Sequence, residues 1–371
     1  MSKANKKPVS KGAKVAKVIL LIFLCILLIA AIAFAFVLSK LDMITYDDGS
    51  HTEPSAVVAT DPVVPETDPI IASTELPTDP VETQAPENID MNGLTMETAP
   101  NFSSGELFQN DDVMNILLVG TDEFTEGFVS SSRGDVNILV SINKAEKTVK
   151  LVSFSRGIAM PMLDGPYKGK YEWLTNVHRW AGHEAVLEAI EQCFKIECDR
   201  YVRVNFNSVT TIVDMIGGVE IDLTEKEAKF MNKVLGRGDL TAGMNHLDGW
   251  AATYYARLRG IDDDWYRIQR QRTAILAVVE KLKGSSFSTL NDLCDEVMPL
   301  IQTNLTKLEI AELILYSPKF LMSEFDQMTI PLKNSYGGMT VMSGAGGWAL
   351  DFEKNNAALH EFLYGSESDV G

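Results

Sequence analysis

The sequence predicts an α/β fold, a central mixed β-sheet sandwiched by helices, preceded by one transmembrane helix and a disordered linker. Three observations predict it. Short β-type runs alternate with amphipathic helical runs from Val113 to about Tyr364, a single uncharged apolar stretch stands near the N-terminus, and charge is segregated along the chain. Of 371 residues, 33 are Lys or Arg and 51 are Asp or Glu, for a net charge of −18. Residues 1–40 carry seven Lys and no acid, residues 41–112 carry sixteen acids and no Lys or Arg, and the remainder carries −9. A soluble cytosolic enzyme does not divide its charge this way. The acidity also excludes nucleic acid as a partner, because phosphate backbones are held by clustered Lys and Arg, and the lysine cluster here precedes an apolar stretch instead.

That stretch, Val18 to Leu38, has no charge and no proline, and matches the roughly 20 residues a helix needs to cross a bilayer. Lysines before it and acids after it place residues 1–17 in the cytoplasm as a basic tail and everything after Lys40 outside the cell, a single-pass protein of the cell membrane. A cleaved signal peptide is the competing reading, with Ala33 and Ala35 near a conceivable cleavage site, but its apolar region is usually about 7 to 15 residues. Residues 41–112 read as an acidic Pro/Thr-rich linker. Eight of the fourteen prolines fall there, Thr-Asp-Pro recurs at Thr60, Thr67 and Thr78, and no apolar periodicity is sustained, so the segment is expected to act as a spacer holding the next domain off the membrane.

The outer domain, 113–365, opens with strands at Asn115–Gly120, Val136–Ser141 and Thr148–Ser153, the last two joined by a hairpin loop at Asn143–Lys147. Helices are predicted at His183–Phe194, Asn207–Ile216 and Thr224–Val234, and strands at Tyr201–Phe206 and Val219–Leu223. A long helix from Asp264 to Leu282 carries Ile268, Ile275, Val278, Val279 and Leu282 on one stripe. Helices near Leu290–Leu300 and Lys307–Leu315 and a strand at Met328–Leu332 complete it. Cys25 lies in the apolar stretch. Cys193 and Cys198 are close enough to bridge, or with Cys294 form three buried thiols, and no Cys/His spacing indicates zinc.

Chemistry gathers in polar residues that the pattern alone does not require. Asp122 ends the first strand and Asp135 precedes the second; two carboxylates at neighbouring strand ends suit one hard divalent cation, although either is also an ordinary turn former. Arg156 ends the third strand. In the segment Tyr255–Arg272, Asp264, Arg267 and Gln271 share a helix face at spacings of three and four, with Arg270 beside Arg267. Guanidinium forks in an acidic domain suit phosphate oxygens, while a helix face salt-bridged by Asp262–Asp264 is the plainer account.

Taken together, these residues resemble the LytR-CpsA-Psr family of cell-wall glycopolymer ligases. The resemblance is carried by Asn115–Asp122, Arg133-Gly-Asp135, the strand pair around Ser141, the Ser-x-Ser-Arg156 strand end, Asn176 before Gly182, Val213–Val219, and the Tyr255-x-Arg257-x-Arg259 to Gln271 block. It covers roughly Asn115–Tyr364 and also implies a single N-terminal span. It implies transfer of a glycan phosphate, such as teichoic acid or capsule polymer, from an undecaprenyl pyrophosphate carrier to peptidoglycan. It further implies Asp122 and Asp135 as ligands of Mg²⁺ or Mn²⁺, and Asp135, Arg156, Arg267 and Asp264 as catalytic residues. Arg133, Arg257, Arg259, Arg270, Gln271 and Asn176 would bind pyrophosphate, and an apolar cavity between sheet and helices would hold the lipid tail. The chain departs from the pattern at Gly157, where the family usually has Asp, and at Leu174, where it usually has Lys. The alternative from another class is a non-catalytic module that binds polyprenyl phosphate or wall polymer and regulates envelope assembly.

Overall fold

A computed structural model describes residues 41, 43–46, 106–123, 128, 132–283, 292, 295–320 and 325–365. The basic tail, the span expected at 18–38, Cys25, Cys294 and most of the expected linker lie outside the described residues. Among the described residues no helix is long and apolar enough to cross a membrane.

The centre is a seven-stranded mixed sheet in the order β1 (Thr45–Tyr46), β10 (Gln302–Thr303), β7 (Arg200–Asn205), β2 (Val113–Thr121), β3 (Gly134–Asn143), β4 (Thr148–Phe154) and β11 (Phe325–Ile330). β2, β3 and β4 form an antiparallel meander, while β7 joins β2 and β11 joins β4 in parallel. Three further pairs are antiparallel ribbons: β5 (Ala159–Pro161) with β6 (Tyr171–Trp173), β8 (Val219–Leu223) with β9 (Gly243–Leu247), and β12 (Tyr336–Thr340) with β13 (Gly346–Leu350).

Successive strand residues face opposite sides, so each central strand serves two layers. On one side Leu117, Val119, Leu139 and Val152 pack with Ile190 and Phe194 of α1 (Leu174–Phe194) and Leu359 of α7 (Phe352–Tyr364). On the other, Ile116, Ile138 and Leu151 meet Ile275 and Leu276 of α5 (Asp264–Lys283) and Ile310 and Leu313 of α6 (Lys307–Phe320). The two sides differ in closure. Leu117, Val119, Leu139 and Val152 are fully buried, whereas Leu118, Val136, Val140 and Val202 on the second side are only partly so. A third cluster joins β8 and β9 to α2 (Phe206–Met215), α3 (Glu225–Leu235) and α4 (Gly249–Arg257).

The three leading strands, the hairpin after β3, and helices α2, α3 and α5 stand where periodicity put them, within a residue or two. The predicted helix near 290–300 lies partly outside the described residues and ends in a 3-10 turn at Met298–Leu300. α1 begins nine residues earlier than the sequence indicated. Gly182, at φ 82° and ψ −180°, breaks it, and the first half has no regular apolar stripe to read. Cys193 and Cys198 are both buried and unbridged, and burial pushes both thiols up, so they stay protonated.

Candidate active site

The site forms where β2 and β3 end. Gly120 pairs with Val136 and Thr121 with Gly134, so Asp135 is the extra residue of a β-bulge. Bulges re-aim single side chains next to functional sites. Gly120 permits this one: a Cβ there would lie 2.8 Å from Val136 Cβ, closer than real side chains come.

Around Asp135 the polar residues converge from four parts of the chain. Its Oδ1 accepts from Arg156 Nη1 at 3.1 Å and from Thr175 Oγ1 at 3.1 Å, and its Oδ2 accepts from Arg259 Nη2 at 3.2 Å. Asp264, first residue of α5, pairs with Arg267 on its own helix, lies 3.6 Å from Arg156 Nε, and accepts from Ser155 Oγ at 3.4 Å. Burial alone would raise the Asp135 carboxyl, but Arg156, Arg259 and Arg267 outweigh it and hold it below the usual carboxylate range. Arg267 is pulled down to about 10, first by burial and then by the Arg156 guanidinium. Three cations and two carboxylates thus share a small volume, leaving surplus positive charge for an anion.

Asp122 is in the opposite condition. Its Oδ1 accepts from Arg133 N at 2.8 Å and its own N donates to Arg133 O at 3.2 Å, closing the loop between β2 and β3. Burial and then the nearby Asp135 charge raise its carboxyl, with the Arg133 hydrogen bond opposing. Repulsion between the two aspartates is what a divalent cation between them would relieve, so the pair fits Mg²⁺ or Mn²⁺. Among the described residues no group of three or more His, Cys, Asp or Glu could hold a metal ion.

The structure sorts the other sequence-predicted residues. Gln271 is buried one turn after Arg267. Arg257 lies over the Phe206 ring, 4.3 Å from its centroid. Asn176 donates to Glu172 Oε1 at 3.1 Å, beside Thr175. Arg270 stands apart from the cluster around Asp135. Its guanidinium takes both Asp262 oxygens at 2.7 Å, Glu227 Oε1 at 3.2 Å and Leu258 O at 3.1 Å, so it fastens α5 to α3 instead of joining the anion cluster. Sequence reasoning missed Ser155 and Thr175, whose adjacency to Arg156 and Asn176 was the available signal. It also missed Arg203, buried against Glu123 Oε1 at 2.9 Å and Ser132 Oγ at 2.7 Å, the residues next in sequence to Asp122 and Arg133.

Both departures from the family pattern have a place. A Cβ at Gly157 would lie 2.9 Å from Trp348 Nε1, and Trp348 N donates to Gly157 O at 2.8 Å, so the β12–β13 ribbon occupies the space of a side chain at 157. Leu174, the first residue of α1, is fully buried in the core.

A family model, the LytR_cpsA_psr family, matches residues 77–357. The polyisoprenyl-teichoic acid–peptidoglycan teichoic acid transferase TagT of Bacillus subtilis (strain 168) is 31% identical over 202 residues, covering 53% of this chain and 61% of the relative. The corresponding transferase TagU of Enterococcus faecalis is 28% identical over 218 residues, covering 57% and 68%. The chain therefore spans about three fifths to two thirds of the length of these relatives. Among solved structures, TagT bound to LIIa-WTA superposes with a TM-score of 0.55 at 24% identity, over 68% of this chain and 91% of that one. YwtF (TagT) with bound octaprenyl pyrophosphate lipid gives 0.51 at 22% identity, over 71% and 95%. These likenesses establish the fold.

Proposed function

Since the chain belongs to the LytR_cpsA_psr family, we propose that it is a membrane-anchored phosphotransferase that moves a glycopolymer phosphate, such as teichoic acid or capsule polymer, from a polyprenyl pyrophosphate carrier to a hydroxyl of peptidoglycan. One observation carries the reading. Arg156 and Arg259 close on Asp135, with Arg267 behind, at the end of a sheet whose face beneath α5 and α6 carries half-buried Leu118, Val136, Val140 and Val202. A cationic cluster opening on an incompletely closed apolar face suits an amphiphile with a diphosphate head and an isoprenoid tail.

The chemistry is positioning and charge neutralisation. Arg156, Arg259 and Arg267 bind the phosphate oxygens, Arg156 and Arg259 exchanging Asp135 for substrate, while Arg133 and Arg257 flank the head group. Asp264 fixes Arg267 and Arg156 in place through two ion pairs. As the acceptor oxygen bonds to the glycan-bearing phosphorus, the bond to the carrier phosphate breaks, and the guanidinium groups stabilise the charge left on the departing lipid phosphate. A cation held by Asp122 and Asp135 would supply further charge neutralisation at the phosphoryl oxygens. Residues 1–17 would be cytoplasmic, 18–38 would cross the membrane, and the domain would be extracellular.

Incubating the detergent-solubilised full chain with labelled lipid-linked glycan, peptidoglycan and Mg²⁺ tests the proposal. Label made covalent to peptidoglycan, and absent with Asp135→Ala, is the expected result. Tight lipid binding without any transfer would leave the non-catalytic module as the function.

A further inference from the structure

Residues 41 and 43–46 fall in the linker expected from sequence, yet they belong to the domain. Leu41 and Ile44 are buried, and Thr45–Tyr46 form the edge strand β1, Thr45 opposite Gln302 and Tyr46 opposite Thr303. Lys307 Nζ lies 5.8 Å from the Tyr46 ring centroid. At the far end of the acidic stretch, Phe108 N donates to Lys195 O at 2.9 Å and Phe108 bridges Ile196. Both ends of the Pro-rich segment are therefore fastened to one domain.

The direction of β1 fixes where the chain arrives. β10 is antiparallel to β7, with Gln302 opposite Arg203, and β7 is parallel to β2, with Arg203 opposite Val119 and Asn205 opposite Thr121. Because β1 and β10 are parallel, tracing back from Thr45 to Leu41 leads along β10 toward Leu300. Leu300 O accepts from Ser208 Oγ at 2.8 Å, in the first turn of α2 directly after Asn205. That is the end of the sheet where Asp122 and Asp135 stand.

We infer that β1 is a tether: it fixes the domain directly against its own membrane span, with the Asp122–Asp135 end toward the bilayer. The inference rests on the reading of 18–38 as a span and deepens the polyprenyl pyrophosphate reading of the site. Seven Cα-to-Cα steps lead from Leu38 to Thr45, at most roughly 25 Å of extended chain. A stalk running from 47 to 105 would reach up to about 200 Å. A polyprenyl diphosphate presents its head in the headgroup layer with its tail in hydrocarbon, and every methylene drawn into water opposes its removal. The tether brings the arginines to the head group instead. Met43, left exposed between span and strand, suits contact with the interfacial layer.

The test uses the full chain in phospholipid vesicles, with Cys25 and Cys294 replaced by Ser. Thr45→Cys with Gln302→Cys joins neighbouring strands, within reach of a disulfide. Thr45→Cys with Gln327→Cys is the mispaired control, since Gln327 lies on β11 at the opposite edge, six strands or roughly 29 Å away. Mild oxidation should crosslink the first pair at least about ten-fold above the second, as strand distances require. Leu41→Asp with Ile44→Asp should abolish the excess. It should also lower energy transfer from a dye at Asp239→Cys to a headgroup acceptor as the domain moves away. Crosslinking at control level in protein that resists alkaline extraction would overturn the tether and leave the span standing. Release by alkaline extraction would overturn both. Neither readout involves glycan transfer, so a failure of the catalytic reading registers separately.

Discussion

At the scale of single residues, the arginines divide between two duties. Arg156 faces Asp135 and Asp264, whereas Arg270 is committed to Asp262 and Glu227. Arg156→Ala should weaken affinity for a short-chain polyprenyl pyrophosphate by about ten-fold to a hundred-fold, because a charge-assisted hydrogen bond contributes roughly 1.5 to 3 kcal/mol, and Arg156→Lys should recover little of it. Arg270→Met should do the reverse: affinity of the folded protein holds while stability falls by about 3 to 5 kcal/mol, two buried carboxylates having lost their partner. Calorimetric titration with parallel thermal unfolding measures both. Helical spacing placed Arg267 and Arg270 side by side, and could not show that Arg270 turns toward Glu227, which lies on a helix more than thirty residues earlier. His178 offers a pH readout. Burial first, then Arg203, brings its imidazole down to about 3 from 6.5, so the folded state keeps it neutral. Between those values the unfolded chain binds the proton and the native chain does not, so stability should fall with falling pH by up to about 1.4 kcal/mol per pH unit. His178→Asn should flatten that slope in urea titrations from pH 7 to pH 4.

At the scale of elements, the bulge between β2 and β3 does what a regular ladder cannot, adding one residue and aiming it at the arginines. Gly120→Ala places a methyl against Val136 and should cost roughly 1 to 3 kcal/mol by overpacking. Because the strain falls on the bulge, transfer activity should drop further than stability accounts for, as initial rates well below the melting point would reveal. Neutral activity with reduced stability would detach the bulge from function. The strands beside Asp122, Asp135 and Arg156 were legible because each is a mostly apolar run with the polar residue at its border, Asp122 and Arg156 after theirs and Asp135 before its own. The first half of α1, with Thr175, was not: Leu174, Thr175, Val177 and His178 are buried, yet only two of those four are apolar. The ribbon β12–β13 was equally opaque. Its pairing is local, but what it packs on, Gly157, is separated from it by nearly the whole domain.

At the scale of the molecule, the charge blocks make a topological prediction. Protease added to wall-stripped cells should cut within 47–105 while leaving residues 1–17 intact, and complete protection behind a sealed membrane would reverse the orientation. Chelation supplies a second whole-protein test: transfer should cease with EDTA and return with Mg²⁺, and a chelator-indifferent enzyme would remove the metal from Asp122 and Asp135. The seven-stranded sheet also has a history written into its order. Its outermost pairings join distant parts of the chain, β1 with β10 and β4 with β11, while the meander β2–β3–β4 is local. Pairings of long sequence separation bear the larger loop-closure entropy and form late. A chain delivered N-terminus first therefore builds the middle of its sheet early and waits for its last third before either border is sealed. Until Gln302 and Phe325 arrive, β7 and β4 stand as open edges, the surfaces on which unfinished chains adhere to one another. A truncation before residue 300 is thus expected to yield not a smaller enzyme but an aggregating one.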